Sequence, residues 1–169
     1  MSSTDQAMEV LKRLPKGPVT GAEIGVFAGK MSKRLLERGN LGLYMVDNWL
    51  ALPRYGITQA QQDENKLKAL KIAAMGGWVL GMDSVKAAEC VEDESLDFVF
   101  IDADHSYEGV SRDVKAWLPK VRPGGLMGGH DYANPSEPCG MEVKRAVDEI
   151  AYLTGKRVDL GKDSTWFYR

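Results

Sequence analysis

"SLDFVFIDADHSYEGVSRDVKAWLPKVRPGGLMGGHDY", residues 95–132, contains two strand-like runs separated by a helical one. From Leu96 to Ile101 every residue but Asp97 is apolar, and the run ends on Asp102. Val110, Val114, Trp117, Leu118 and Val121 then recur at helical spacing. A Pro123-Gly124 turn opens a second run, 124–131, which ends on His130 and Asp131. Strands that are apolar on both faces and joined through a helix imply a parallel pair buried between helical layers. Right-handed crossovers then bring the ionisable residues at both strand ends to one edge of the sheet.

The same alternation extends in both directions. Ser3 and Gln6 have capping-box spacing, and Ala7, Val10, Leu11 and Leu14 mark an N-terminal helix over 1–16 that Pro15 and Gly17 end. Residues 19–27 read as a strand entering a glycine turn at Gly25 and Gly29, followed by a helix with Met31, Leu35 and Leu36 inward and Gly39 as its stop. Residues 41–47 and 77–83 read as further strands. Between them lies a polar stretch from Trp49 to about Glu64, then a helix carrying Leu67, Leu70 and Ala74. A short helix spans 84–91, and another carries Val143, Ala146, Val147, Ile150 and Ala151 up to Gly155. "RVDLG" and "TWFYR" supply a closing hairpin. The pattern is α/β with a mostly parallel sheet. It predicts that Asp47, Asp83, Asp102 and Asp131 sit at equivalent strand ends and form one site.

Composition narrows the classes. With 169 residues, 44% hydrophobic and 27% charged, one domain over 1–169 with a substantial core is expected. A net charge of −2 gives no basic footprint for nucleic acid. No apolar run approaches the ~20 residues that span a bilayer, and the N-terminus lacks the apolar stretch of a signal peptide. Two cysteines, Cys90 and Cys139, without metal-type spacing fit a cytoplasmic location.

The first turn, Glu23-Ile24-Gly25-Val26-Phe27-Ala28-Gly29, has no glycine at 27. The dinucleotide fingerprint is therefore incomplete, which argues against a nicotinamide dehydrogenase. Asp47 ends the second strand, where a carboxylate can accept both hydroxyls of a ribose.

"AEIGVFAGKMSKRLLE", "LYMVDNW", the 95–132 stretch and "GMEVKRAVDEI" together resemble a class I S-adenosylmethionine-dependent methyltransferase. They are most similar to the small bacterial O-methyltransferases that include the macrocin-type sugar O-methyltransferases. The resemblance covers about residues 20–169. It implies a Rossmann-like fold with a mostly parallel seven-stranded sheet, helices on both faces and the last strand antiparallel. It also implies that Glu23, Gly25 and Gly29 frame the cofactor's methionine end. Asp47 would hold the ribose with Asn48 or Trp49 beside it, and Asp83 and Ser84 would bracket the adenine. Asp102 falls where the family places a metal ligand and cofactor contact, His105 at the catalytic base, and Asp131 at a second metal ligand with His130 adjacent.

Methyl transfer from a sulfonium depends mostly on alignment of the two reactants. A hydroxyl acceptor also needs its proton removed or its oxygen polarised, which an imidazole and a divalent ion can supply. Relatives that use magnesium commonly carry an acid or amide where this chain has His130, and imidazole suits manganese, zinc or iron better than magnesium. Structural roles compete at several positions. Asp83 can simply cap the helix that follows it, Asp104 reads as a turn residue, and His105 and His130 can be packed imidazoles. Val110, Val114 and Trp117 read as core. The acceptor, a small molecule, must be held by the N-terminal helix, by 50–66 acting as a lid, by the 132–141 loop, or by a second copy in a homodimer. Two other readings stay open: a metal-dependent enzyme of different chemistry, and a cofactor-binding module without catalysis.

Overall fold

The computed structural model describes residues 3–169. Its elements run α1 (Ser3–Leu11), β1 (Val19–Ile24), α2 (Lys30–Leu36), β2 (Leu41–Val46), α3 (Gln59–Ala73), β3 (Gly77–Leu80), α4 (Ser84–Glu89), β4 (Leu96–Ile101), α5 (Tyr107–Trp117), β5 (Val121–Gly129), α6 (Gly140–Thr154), β6 (Val158–Leu160) and β7 (Trp166–Tyr168). The seven strands form one sheet in the order β3-β2-β1-β4-β5-β7-β6. The pairings from β3 across to β5 are parallel, and β7 runs antiparallel to both β5 and β6. The closing hairpin thus inserts its last strand between β5 and β6, which completes the Rossmann-like α/β fold. Strand order reverses between β1 and β4, and in such sheets that is where ligands bind.

Alternation along the strands divides the core in two. Val99 and Ile101 face α4, α5 and α6 through Ala87, Val110, Val114, Trp117, Val143 and Val147. Phe98 and Phe100 face the opposite layer, where α1, α2 and α3 contribute Ala7, Val10, Leu35, Leu36 and Ala69. Burial on both faces is why these strands read as unbroken apolar runs. Gly128 and Gly129 in β5 let β7 approach. A Cβ on Gly128 would lie 2.3 Å from the Phe167 ring, and one on Gly129 would lie 2.7 Å from the Trp166 ring.

Helices α1 and α3 depart from expectation. The Ser3–Gln6 cap depends on the Ser3 side chain, which lies outside the described residues. Helix α1 ends at Leu11, before Pro15, and Leu14 packs against the same core from a turn. Helix α3 begins at Gln59 rather than near Glu64, because Thr58 and Gln61 form a complete capping box. It also buries a different face: Gln62, Asn65 and Ala69 point inward, while Leu67 and Leu70 are 59% and 46% exposed. The reason lies in the irregular segment before it, whose carbonyls need donors. Gln59 Nε2 donates to the Trp49 carbonyl at 3.0 Å and Gln62 Nε2 to the Leu50 carbonyl at 2.9 Å.

Replacing the cap, Thr58→Ala, is expected to lower the unfolding free energy by about 1 kcal/mol in urea titrations. Leu67→Gln, on the solvent face, should change it by less than about 0.5 kcal/mol.

Candidate active site

Backbone pairing continues one residue past the strand ends. Asp47 N donates to Leu80 O at 3.3 Å, Gly25 N to Val46 O at 2.9 Å, Asp102 N to Ile24 O at 2.7 Å, and His130 N to Ile101 O at 3.0 Å. Asp47, Gly25, Asp102 and His130 therefore stand side by side on one rim, with Asp131 following. Gly25, at φ +93°, closes the row: a Cβ there would lie 2.0 Å from the Asp102 carbonyl oxygen.

Asp47 organises the floor of the rim. Its Oδ2 accepts from Phe27 N at 2.8 Å and its Oδ1 from Trp49 N at 2.7 Å. The Trp49 indole donates to the Phe27 carbonyl at 2.8 Å and is buried in the core, so it is not beside the cleft as anticipated. Asn48 turns the chain by accepting from Leu50 N at 3.0 Å, and it does line the cleft. Phe27, Trp49, Asp131 and Ala133, in the turns after β1, β2 and β5, all have positive φ. Non-glycine residues in that region cost on the order of 1–3 kcal/mol each and persist where surrounding contacts enforce them.

Two cavities meet at this rim. The larger, about 620 Å³, is lined by Asp47, Asn48, Asp83, Ser84, His105 and the 52–57 loop among others. The second, about 570 Å³, is lined by Gln6, Glu23, Lys30, His130, Asn134 and Asp163 among others. Gly25, Phe27 and Asp102 border both. Their sizes lie in the usual range for small-ligand sites, about 300–1,000 Å³. At the far end of the first cavity Asp83 caps α4, accepting from Val85 N at 3.0 Å, and its other oxygen lies 3.5 Å from Arg112. The Ser84 hydroxyl accepts from the Trp117 indole at 2.9 Å. The capping role of Asp83 is thus real, and the residue still faces the cleft.

The histidines occupy different places. His105 Nε2 lies 3.3 Å from Asp102 Oδ1 and 3.3 Å from Asp131 Oδ2. One atom from each of Asp102, His105 and Asp131 falls within 4.8 Å of the others, a spacing that suits a metal ion. His130 is outside this compact group. Its Nδ1 is 3.2 Å from Asp131 Oδ1 and 3.7 Å from Asp102 Oδ1, on the other side of the same carboxylates, and its Nε2 is 3.7 Å from Asp163 Oδ2, where it lines the second cavity. Several partners were not legible in the sequence. Gln6 Nε2 donates to Asp102 Oδ2 at 3.3 Å, Asn134 Nδ2 donates to Asp131 Oδ1, and Glu137 Oε2 is 3.5 Å from His105 Nδ1. Asp104, as expected, turns the chain by accepting from Ser106 N.

A family profile for the methyltransferase domain matches residues 22–132, more than half of the chain. The chain belongs to this family. Solved structures give the methyltransferase its fold relatives. One is a candidate caffeoyl-CoA O-methyltransferase from Staphylococcus aureus, 13% identical, TM-score 0.71, covering 99% of this chain and 82% of that one. Another is a methyltransferase from Podospora anserina solved with S-adenosylhomocysteine, 14% identical, TM-score 0.67, covering 90% and 71%. A third is the TDP-rhamnose 3'-O-methyltransferase of calicheamicin biosynthesis, 12% identical, TM-score 0.65, covering 98% and 77%. At these identities the likeness is one of fold. A search of curated proteins finds no match. Family and fold together make this a class I S-adenosylmethionine-dependent methyltransferase. Among the described residues no helix is long and apolar enough to cross a membrane.

Electrostatics distinguish the methyltransferase's rim groups. Burial alone would lower His105, but the Asp102 hydrogen bond and the charges of Asp102, Asp131 and Glu137 outweigh it and raise the imidazole to about 9. Burial likewise opposes charge on His130, yet Asp131, Asp102 and Asp163 raise it. Burial works against ionisation of Asp131 too, but His130, Asn134 and His105 hold it below the usual carboxylate range. Glu23 is the exception. Burial pushes its carboxyl up to about 8; the Ser32 hydroxyl, donating at 2.5 Å, opposes this, and the charges of Asp102 and Asp47 add to it.

Because folded Glu23 holds its proton to higher pH than the unfolded chain, its contribution to stability is complete below about 4.5 and is lost as pH rises through about 8. Glu23→Gln should therefore gain on wild type as pH goes from 5 to 8.5, read as the difference between their melting temperatures across that range.

Proposed function

We propose that this methyltransferase O-methylates a small hydroxylated acceptor, a sugar or related metabolite, with His105 as general base. The observation that carries the reading is the Asp102–His105–Asp131 group beside the point where the two cavities meet. In this reading the adenosine of S-adenosylmethionine occupies the larger cavity. Asp47 faces the ribose hydroxyls, with Asn48 beside it, and Asp83 and Ser84 face the adenine edge. The methionine end enters the second cavity past Gly25 and Gly29, where Glu23 and Asp102 meet its ammonium. When bound, the donor supplies an electrophilic methyl group on a sulfonium; the protein's share is alignment and proton removal.

A divalent ion, magnesium or manganese, fits the donor set of Asp102 and Asp131 with His130 as the nitrogen ligand, which leaves His105 as the base. Such an ion would lower the pKa of an acceptor hydroxyl. The electrostatics favour this arrangement, since His105 standing alone in a field of carboxylates keeps its proton at neutral pH. A cation held by Asp102 and Asp131 would offset that field and so lower the tendency of His105 to stay protonated. Asp102, Asp131, Glu137 and Asp163 also make the acceptor side acidic, which favours an uncharged acceptor over a phosphate-bearing one. The reading takes 1–169 as one cytoplasmic catalytic domain, with 50–66 as its lid and a homodimer closing the remaining open side.

Calorimetry with S-adenosylmethionine and S-adenosylhomocysteine tests the donor site: Asp47→Ala should weaken both by about tenfold or more, the loss of a charge-assisted contact. Transfer of labelled methyl to a panel of polyols and phenols tests the chemistry. His105→Ala should abolish transfer while leaving S-adenosylhomocysteine affinity within about threefold, and chelation should reduce transfer by wild type. Undiminished transfer by His105→Ala would remove the base assignment.

A further inference from the structure

The two loops that border the acceptor side meet at the Glu137 carboxylate, with Arg54 of one loop also beside Cys139 of the other. Glu137 lies between β5 and α6, in a loop that carries the positive-φ residues Asp131 and Ala133 at its start. Its Oε1 accepts from the Tyr55 hydroxyl at 3.1 Å, and its Oε2 is 3.5 Å from His105 Nδ1. Tyr55 belongs to the opposite rim, where Leu52 and Ile57 pair around a short 3-10 turn, Pro53–Tyr55. That rim hangs from the buried glutamine of α3, which grips the Leu50 carbonyl. His105 Nδ1 is buried and makes no hydrogen bond, and the Glu137 carboxylate stands 3.5 Å from it as an acceptor for an N–H there. A proton held on Nδ1 by Glu137 keeps Nε2 turned to Asp102 and Asp131, so that the proton His105 gives up and takes back is the one on Nε2, the orientation a base needs.

We propose that Glu137 is the positioning residue of this site: it fixes the His105 imidazole through Nδ1 and latches the 52–57 rim through Tyr55, so that closure of the rim and orientation of the base are coupled. The proposal rests on the reading of this cleft as the methyl-transfer site. It differs from a purely structural role in one respect: a change at Tyr55, on the other loop, must be felt at His105.

The chain contains only two histidines, so the imidazole Cε1–H resonances of histidine-labelled protein can be assigned with a His130 variant. In ligand-free protein at fixed pH, Glu137→Ala and Tyr55→Phe should each shift and broaden the His105 signal. The double variant should go no further than Glu137→Ala alone. Glu137→Gln should restore a narrow signal, since its carbonyl can accept from Nδ1–H while its amide donates to the Tyr55 oxygen. In a second arm, Tyr55→Phe should speed dissociation of S-adenosylhomocysteine by about fivefold, the value of one hydrogen bond of ordinary strength. A His105 signal that moves with Glu137→Ala but not with Tyr55→Phe, or with neither, overturns the coupling. Failure of wild type to bind S-adenosylhomocysteine would instead count against the functional reading, because the resonance arm needs no ligand.

Discussion

The site depends on backbone hydrogen bonds that outlast the strands. Each of four neighbouring strand tips hands one more N–H to the strand beside it, and this sets Asp47, Gly25, Asp102 and His130 in register. These residues are far apart in sequence, and nothing in their side chains would assemble them. Parallel pairing does so because every strand of that half of the sheet ends on the same edge. Gly25 is the tightest point: its missing Cβ allows β1 to leave the sheet directly against the Asp102 backbone. The acidic rim is therefore a property of the sheet, and the cleft follows from the reversal of strand order between β1 and β4.

Gathering so many carboxylates has an electrostatic consequence. Each histidine lies between two or more acids, and each is driven towards its charged form. Glu23, one layer deeper, responds in the opposite way and keeps its proton, because burial there outweighs its single hydroxyl partner. The rim thus has charged imidazoles within a negative field and a neutral acid beneath it. A cationic ligand, such as a sulfonium with an ammonium group, would relieve such a field. The strained turns at Phe27, Trp49 and Asp131 fit the same picture, since they lie where the chain leaves the sheet to line the cavities.

The fold was legible because its signals are repetitive. Buried parallel strands are continuous apolar runs, and β4 and β5 with their terminal acids could be read from one stretch of sequence. The rim aspartates were legible for the same reason, as strand ends. Helix α3 departs from its expected face because part of its buried side answers to the Leu50 carbonyl through Gln62, and only its second half, through Ala69 and Ile72, packs on the core. A buried glutamine and two exposed leucines invert the usual periodicity, although the Thr58–Gln61 cap was there to be recognised. His130 and His105 are equally conspicuous in the sequence and both reach Asp102 and Asp131, yet only the folded structure shows that the second ring nitrogen of His105 turns to Glu137 and that of His130 to Asp163. Glu137 and Tyr55 carried no signal, because loop residues that meet across a cleft share neither period nor spacing.

The central claim is that these strand tips form one nucleoside-binding rim. Amide chemical-shift mapping during titration with S-adenosylhomocysteine tests it most directly. Residues 25–29, 47–49, 83–85 and 102–105 should shift together along a single saturation curve. Shifts confined to the opposite edge of the sheet, around residues 121–125 and Lys156 where a smaller cavity of about 250 Å³ lies, would contradict it.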